Sequence, residues 1–341
     1  KILNSGNFNT NTYFGDKNYF VSNFSRVNTT PKSELLDVNG NVVLKLETAD
    51  LSALFDSGYK FPEPFKAKAN DGITDIYGVM YKPFDFDERK KYPLIEYVYP
   101  GPQTEAVDKS FSADYRWTRK DMLAQIGFIV VTLGNRGGHP DRSKWYHNYG
   151  YGNLRDYGLA DKKYVAEQLA ARHDFIDINK VGIFGHSGGG FMSTAAILVY
   201  PDFFKVAVSS AGNHDNAIYN SWWSESHHGI EKELDKDGNI EYKYEIDNNQ
   251  ELAKNLKGHL LLVTGDMDNN VHPAATMRVV DALIKENKRF SFMILPGQRH
   301  GFGSMSEYFF WLKADYFSKH FLGKNDFSVD MNIINQDIPQ N

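Results

Sequence analysis

Between Val181 and Phe191 the chain passes from an apolar strand pattern, Val181-Gly182-Ile183-Phe184, through Gly185-His186-Ser187-Gly188-Gly189, into an apolar helical pattern. A serine framed by glycines between a strand and a helix is the G-x-S-x-G nucleophile elbow in the context it requires. The flanking glycines lack the Cβ atoms that would collide where the chain reverses, so Ser187 can hold a strained backbone at the strand's end. Its hydroxyl then stands clear of the sheet. The next N–H, that of Gly188, opens a helix, where partial positive charge favours an oxyanion.

The rest of the chain reads as support for that turn. Residues 1–60 are polar, with β signals at 18–24 and 41–46 and an Asn39-Gly40 hairpin turn between them. These few strands make an incomplete sheet, expected to be the end of something larger or an appended layer. A short helix is expected over 49–59, followed by a break at Pro62 and Pro64. From Ala67 onward apolar strand runs alternate with helical patterns, the signature of an α/β sheet. Strands are predicted at 73–80, 92–99, 128–133, 181–184, 205–209, 259–264 and 290–295. Helices are predicted at 116–125, 157–172, after the elbow to Tyr200, at 273–286 and at 306–321. Residues 212–254 read as irregular, aromatic and charged, a length of connection that usually carries specificity. The domains are thus expected at 1–60 (β-rich), 61–323 (catalytic α/β) and 324–341 (tail).

A serine hydroxyl is a weak nucleophile at neutral pH, so a base must take its proton and a carboxylate must orient that base. In α/β-hydrolases the three follow in the order Ser, acid, His, each after a successive strand. The strand 260–264 runs into Gly265-Asp266-Met267-Asp268, where Asp268 is the expected acid and Asp266 the weaker rival. The strand 291–295 runs into Arg299-His300-Gly301, the expected base. The other histidines, His186, His214, His227, His228 and His272, read as polar loop or packing groups. The adjacent pair His227-His228 lacks the spacing of a metal site. Oxyanion donors are expected at the Gly188 N–H and the Tyr99 phenol, at the end of an earlier strand.

A net charge of −5 over 341 residues offers no basic surface for nucleic acid, and no apolar run is long enough to span a bilayer. There are no cysteines, which excludes thiol chemistry and disulfides. Neither metal nor cofactor is implied. The chain opens on Lys1, as a processed or trimmed piece would, which favours export from the cytoplasm.

At these residues the sequence, from about Ala67 to Leu322, resembles the catalytic domain of the prolyl oligopeptidase family of serine peptidases, on its dipeptidyl peptidase IV-like side. The motifs are Tyr97-Val98-Tyr99-Pro100-Gly101-Pro102, Gly134-Asn135-Arg136-Gly137-Gly138, the elbow, Asp268-Asn269-Asn270-Val271-His272 and Arg299-His300-Gly301-Phe302. The resemblance implies an α/β-hydrolase fold, with a mostly parallel sheet covered by helices on both faces. It implies a Ser187–Asp268–His300 triad with Tyr99 and Gly188 as oxyanion donors. It also implies a substrate wall containing Asn270 and Val271, and a preceding β-propeller of which residues 1–60 would be the end. Counting forward from Ser187 puts Tyr219 and Trp223 at aromatic pocket positions. The same count puts Asn213 and Asn216 where the branch has a valine and a tryptophan, a departure that argues against a pocket built for a bare proline ring. The implied activity is hydrolysis of short peptides through an acyl-enzyme, with release of N-terminal dipeptides by the full-length protein. The expected partners are a short peptide and, independently of the resemblance, a second copy in a homodimer. A carboxylesterase acting on small acyl or sugar esters is the alternative, because the fold hosts both chemistries.

Overall fold

The computed structural model describes residues 8–14, 18–100, 102, 104–112, 118–229, 231–243, 247–324 and 329–330. Four antiparallel strands come first: β1 (Phe8–Phe14), β2 (Tyr19–Ser25), β3 (Lys32–Asp37) and β4 (Val42–Thr48), paired in that order. The Asn-Gly turn closes β3 onto β4, with Gly40 at φ 88° and Asp37 Oδ1 accepting the N–H groups of Asn39 (2.8 Å) and Asn41 (2.9 Å). It therefore joins neighbours, whereas the two strands foreseen in the sequence are separated by β3. β1 and β3 escape notice because their sequences, FNTNTYF and KSELLD, carry too few apolar residues to stand out from loops.

The main sheet has eight strands: β5 (Glu63–Lys68), β6 (Asp75–Tyr81), β7 (Tyr92–Tyr97), β8 (Ile129–Leu133), β9 (Ile176–His186), β10 (Phe204–Ser210), β13 (His259–Gly265) and β14 (Ser291–Leu295). Their spatial order is β14-β13-β10-β9-β7-β8-β6-β5. Pairing is parallel from β14 to β8 and antiparallel at β6 and β5. The short hairpin of β11 (Glu231–Leu234) and β12 (Ile240–Lys243) stands outside this sheet.

Period-two alternation decides which side chain meets which layer. Leu94, Ile183, Ala207 and Leu262 point to one core, together with residues of α4 (Leu159–Arg172), α5 (Gly188–Val199) and α7 (Ala274–Lys285). Their chain neighbours Ile95, Phe184, Val208 and Val263 point to the other core, with residues of α2 (Lys120–Gln125) and α8 (Ser306–Phe317). Each such fully buried aliphatic contributes about 1.5–3 kcal/mol. Two dry faces are why these strands read as continuous apolar runs. The single turn α3 (Lys144–His147) lies in the connection from β8 to α4.

Three boundaries differ from the sequence reading. The helix after the N-terminal sheet, α1, is confined to Ser52–Asp56, and α2 begins at Lys120, with 116–117 outside the described residues. Residues 212–254 are not irregular throughout: they hold a 3₁₀ turn (Asn216–Ile218), α6 (Ser221–His228), the β11–β12 hairpin and a second 3₁₀ turn (Gln250–Asn255). The expected tail from 324 lies almost wholly outside the described residues. Among the described residues no helix is long and apolar enough to cross a membrane.

Candidate active site

β9 delivers Ser187 at φ 59°, ψ −124° as the residue before α5. The turn is too tight for side chains around it. A Cβ on Gly185 would lie 2.4 Å from the Gly189 carbonyl oxygen, one on Gly189 2.2 Å from that of Val98, and one on Gly190 2.4 Å from that of Ser210. The Ser187 N–H donates to the Ser210 carbonyl (2.9 Å), which ties the elbow to the end of β10. Gly188 is the first residue of α5, so its N–H has no partner within the helix. A Cβ there would lie 3.8 Å from Cζ of Tyr99, so the phenol end of Tyr99 stands over the Gly188 backbone.

Asp268 follows β13 and His300 follows β14. His300 Nδ1 and Asp268 Oδ2 are 2.7 Å apart, and the aspartate side chain is fully buried. Its other oxygen accepts the N–H groups of Asn270 and Val271, each at 2.9 Å. Burial opposes the carboxylate charge, but the hydrogen bond from His300 and the N–H of Val271 outweigh it and hold the carboxyl below its usual range. With Nδ1 engaged, Nε2 is the nitrogen left to face a hydroxyl. No hydrogen bond joins the Ser187 hydroxyl to His300 in this structure. Catalytic contacts of this kind often tighten only with substrate in place.

Asp266 braces the loops instead of orienting the base. Its Oδ1 accepts the Gly297 N–H at 2.6 Å, and the Met267 N–H reaches the Gln298 carbonyl at 3.1 Å. These contacts staple the loop after β13 to the loop after β14. His186 points away from Ser187. Its Nδ1 lies 2.9 Å from the Ser210 hydroxyl, whose own proton goes to the Gly185 carbonyl at 3.1 Å, so the imidazole is the donor. Burial, then the neighbouring His300, push the His186 pKa down to about 3. The neutral ring packs 4.8 Å from the His300 ring and 5.2 Å from Phe302, forming a wall behind the base.

On the other side of the elbow, the segment after β10 runs from Ser210 to the loop of Asp268. Gly212 abuts Gly190, and further on the Tyr219 hydroxyl donates to Asn270 Oδ1 at 3.2 Å. Tyr219 and Trp223 meet edge to face at 5.5 Å. Between these ends Asn213 Nδ2 donates to Asn216 Oδ1 at 2.6 Å. Both residues are buried, and Asn213 Oδ1 and Asn216 Nδ2 find no partner among the described residues. Val271 is buried beside Asp268.

Of the remaining histidines, His214 is fully buried against Asn249 (3.0 Å), and His272 Nδ1 accepts from the Ala274 N–H at the start of α7 (3.1 Å). His227 packs on Trp223 at 4.9 Å. Among the described residues no three His, Cys, Asp or Glu side chains gather as a metal site would need. Arg136 turns inward: it pairs with the buried Asp161 (2.8 Å) and with Asp71 (3.2 Å) and lies 4.1 Å over the ring of Tyr149, so it braces the loop after β8. Ser210 and the Asp215–Arg278 ion pair, which anchors the segment after β10, were missed in the sequence. The available signal for Ser210 was its position at the end of the strand beside the elbow.

Residues 113–324 match the Prolyl oligopeptidase family. The chain belongs to that family. It is 32% identical over 242 residues to human Dipeptidyl peptidase 8, an alignment covering 71% of this chain and 26% of that protein. A solved Bacteroides ovatus structure described as a putative dipeptidyl aminopeptidase IV superposes with a TM-score of 0.77 at 28% identity, covering 89% of this chain and 42% of the other. Dipeptidyl peptidase 4 of Porphyromonas gingivalis, at 24% identity and the same TM-score, shares the fold over 91% of this chain and 43% of its own. The chain therefore spans about a quarter of its human relative, at 26%. Relatives of this peptidase-family member include dipeptidyl peptidases and a mouse protein named Prolyl endopeptidase FAP, 29% identical over 70% of this chain, and its sheet is the α/β-hydrolase sheet the sequence implied.

Proposed function

We propose that the chain is the catalytic part of a serine peptidase that cleaves short peptides through an acyl-enzyme and, in its full-length form, releases N-terminal dipeptides. The observation that carries the reading is the 2.7 Å contact between His300 and a buried Asp268, beside a serine in strained elbow geometry. Ser187 attacks the scissile carbonyl while His300 Nε2 takes its proton. Asp268 holds the imidazole in the tautomer with Nδ1–H and favours the imidazolium that forms. The Gly188 N–H and the Tyr99 hydroxyl donate to the oxygen that becomes negative. His300 then returns the proton to the leaving amine, and water repeats the sequence on the acyl group. The acyl part lies along Asn270, Val271, Tyr219 and Trp223, with the Asn213–Asn216 pair in the same wall. We also assign residues 1–60 to the end of a preceding β domain and 61–323 to the catalytic domain, and propose that the active form is a homodimer.

The test is a panel of dipeptidyl, acyl-aminoacyl and simple ester chromogenic substrates, run beside an organophosphonate probe. The reading expects dipeptidyl amides to be turned over and Ser187 to be labelled. Replacing Ser187 by Ala should lower turnover by roughly 10⁴–10⁶. Near-normal activity in a folded Ser187→Ala protein would refute the assignment, and turnover of esters alone would favour an esterase.

A further inference from the structure

A cavity of about 470 Å³ opens beside the triad on the face of the sheet covered by α8. Its lining includes Tyr99, an oxyanion donor in the proposed mechanism, and His186 and Gly301, the chain neighbours of the nucleophile and the base. None of Asn213, Asn216, Tyr219, Trp223, Asn270 or Val271 lines it, so it is a compartment separate from the proposed acyl wall. A bond held over Ser187 has two sides. With the acyl part beside Asn270 and the leaving amine at His300, this space, lined by Tyr99 and Gly301, is the one open to the chain beyond that amine.

The cavity is aromatic and cationic over part of its lining. Phe184, Phe309 and Phe310 wall it, and Arg119 and Lys313 stand among them. Arg119 is matched by Glu307 and lies 5.1 Å over Phe310. Lys313 is only 2% exposed, yet among the described residues it has no carboxylate partner. Its ammonium makes one long hydrogen bond, 3.4 Å to the Thr118 carbonyl, and sits 4.2 Å over Phe184. Buried charges in folded proteins are ordinarily paired, because an unpaired one bears the full cost of leaving water. Burial, then Arg119 and Lys120, pull the Lys313 pKa down to about 7, which an arriving anion would reverse. With Glu307 spent on Arg119, a ligand in this cleft meets one uncompensated positive charge among aromatic rings. A cleft of this volume suits a fragment the size of one or two residues.

We propose that this cavity is the leaving-group site and that Lys313 receives the free C-terminal carboxylate of a short peptide, so that the preferred substrates end about one or two residues beyond the cleaved bond. The inference rests on the peptidase reading above and adds the substrate class.

The experiment compares kcat/KM of the full-length enzyme on a tripeptide with a free carboxylate and on the same tripeptide amidated at its C-terminus. The free acid is expected to be preferred by about tenfold or more, as one charge-assisted hydrogen bond would give. In Lys313→Met that ratio should collapse toward one, with active sites counted by organophosphonate titration so that loss of folded enzyme cancels. A ratio near one in the natural protein, or the same preference in the variant, would overturn the proposal. Should Lys313→Met not fold, product inhibition of the natural enzyme decides: the released residue or dipeptide as free acid should inhibit about tenfold better than its amide, and equal inhibition would overturn the proposal. An absence of both labelling and peptide turnover would instead strike the peptidase reading itself, and this inference with it.

Discussion

Ser187 occupies a backbone conformation that costs of order 1–3 kcal/mol for a residue with a side chain, and the neighbouring contacts hold it there. The glycines on either side permit this by their lack of bulk, and Gly189 is the tightest case, a Cβ there lying 2.2 Å from the Val98 carbonyl oxygen, a backbone atom that cannot swing aside. A Gly189→Ala protein must therefore shift the elbow relative to β7, carrying the Gly188 N–H away from the Tyr99 phenol. We expect turnover to fall by about a hundredfold or more, in line with loss of an oxyanion donor. Gly238→Ala is the control: it has positive φ (82°) but open surroundings, so it should cost only about 1 kcal/mol of stability and leave turnover unchanged. Comparable rates in the two variants would show that the close approach does not matter. At this scale the placement of Ser187, Asp268 and His300 on the turns after β9, β13 and β14 was legible because each lies within five residues of the end of a strand run and has glycine nearby. The inward turn of Arg136 was not, since the same Gly-rich loop could have aimed it either way until Asp161, twenty-odd positions along, was seen to be buried beside it.

At the scale of elements, the parallel strands announced themselves through β-branched and leucine runs, whereas α6, with the sequence SWWSESHH, has no clean helical period and is recognisable only once Tyr219 and Trp223 are seen to pack. α8 posed a different difficulty. Its sequence SEYFFWLKADYF is apolar almost all round, which marks a buried helix but hides that its lysine is buried as well. That lysine makes stability depend on pH. Unfolded, Lys313 keeps its charge up to about its ordinary 10.5; folded, it loses the proton near 7. Below the folded value the native state bears the full cost of the desolvated charge, and the cost fades as pH climbs from about 7 toward 10.5. The cationic neighbours Arg119 and Lys120 add to it, and Glu307 is already committed. Lys313→Met should thus be more stable than the natural chain at about pH 6, by roughly 1–3 kcal/mol, with the gain shrinking by about pH 10. Urea midpoints of both proteins at acid, neutral and alkaline pH test this; a difference that stays constant would mean that Lys313 has an anionic partner in the folded state.

Across the whole molecule, the proposed chemistry sits at the carboxyl ends of the parallel strands: the turns after β7, β9, β10, β13 and β14 all emerge there, which is how residues as distant as Tyr99 and Gly301 come to line one cavity. The other sheet shows the opposite economy. β4 is an edge strand whose seven residues are all exposed, and Val42, Val43, Leu44 and Leu46 are between 44% and 55% accessible, so neither of its faces is covered. An open strand edge with apolar side chains on both faces invites pairing with another strand, since its N–H and C=O groups have only water to satisfy them. The chain by itself should therefore associate as concentration rises from about 1 to 100 µM, with the weak affinity of a small strand-to-strand contact. Placing lysines at Val43 and Leu44, one on each face, should suppress the effect by setting like charges against each other across the new pair. Sedimentation velocity reads the outcome: a mass independent of concentration in the natural chain, or association unchanged by the two lysines, would move the sticky surface elsewhere. Such association through β4 would leave Ser187 free to label, because the elbow belongs to the other sheet. Loss of labelling on association would instead place the contact over the catalytic edge.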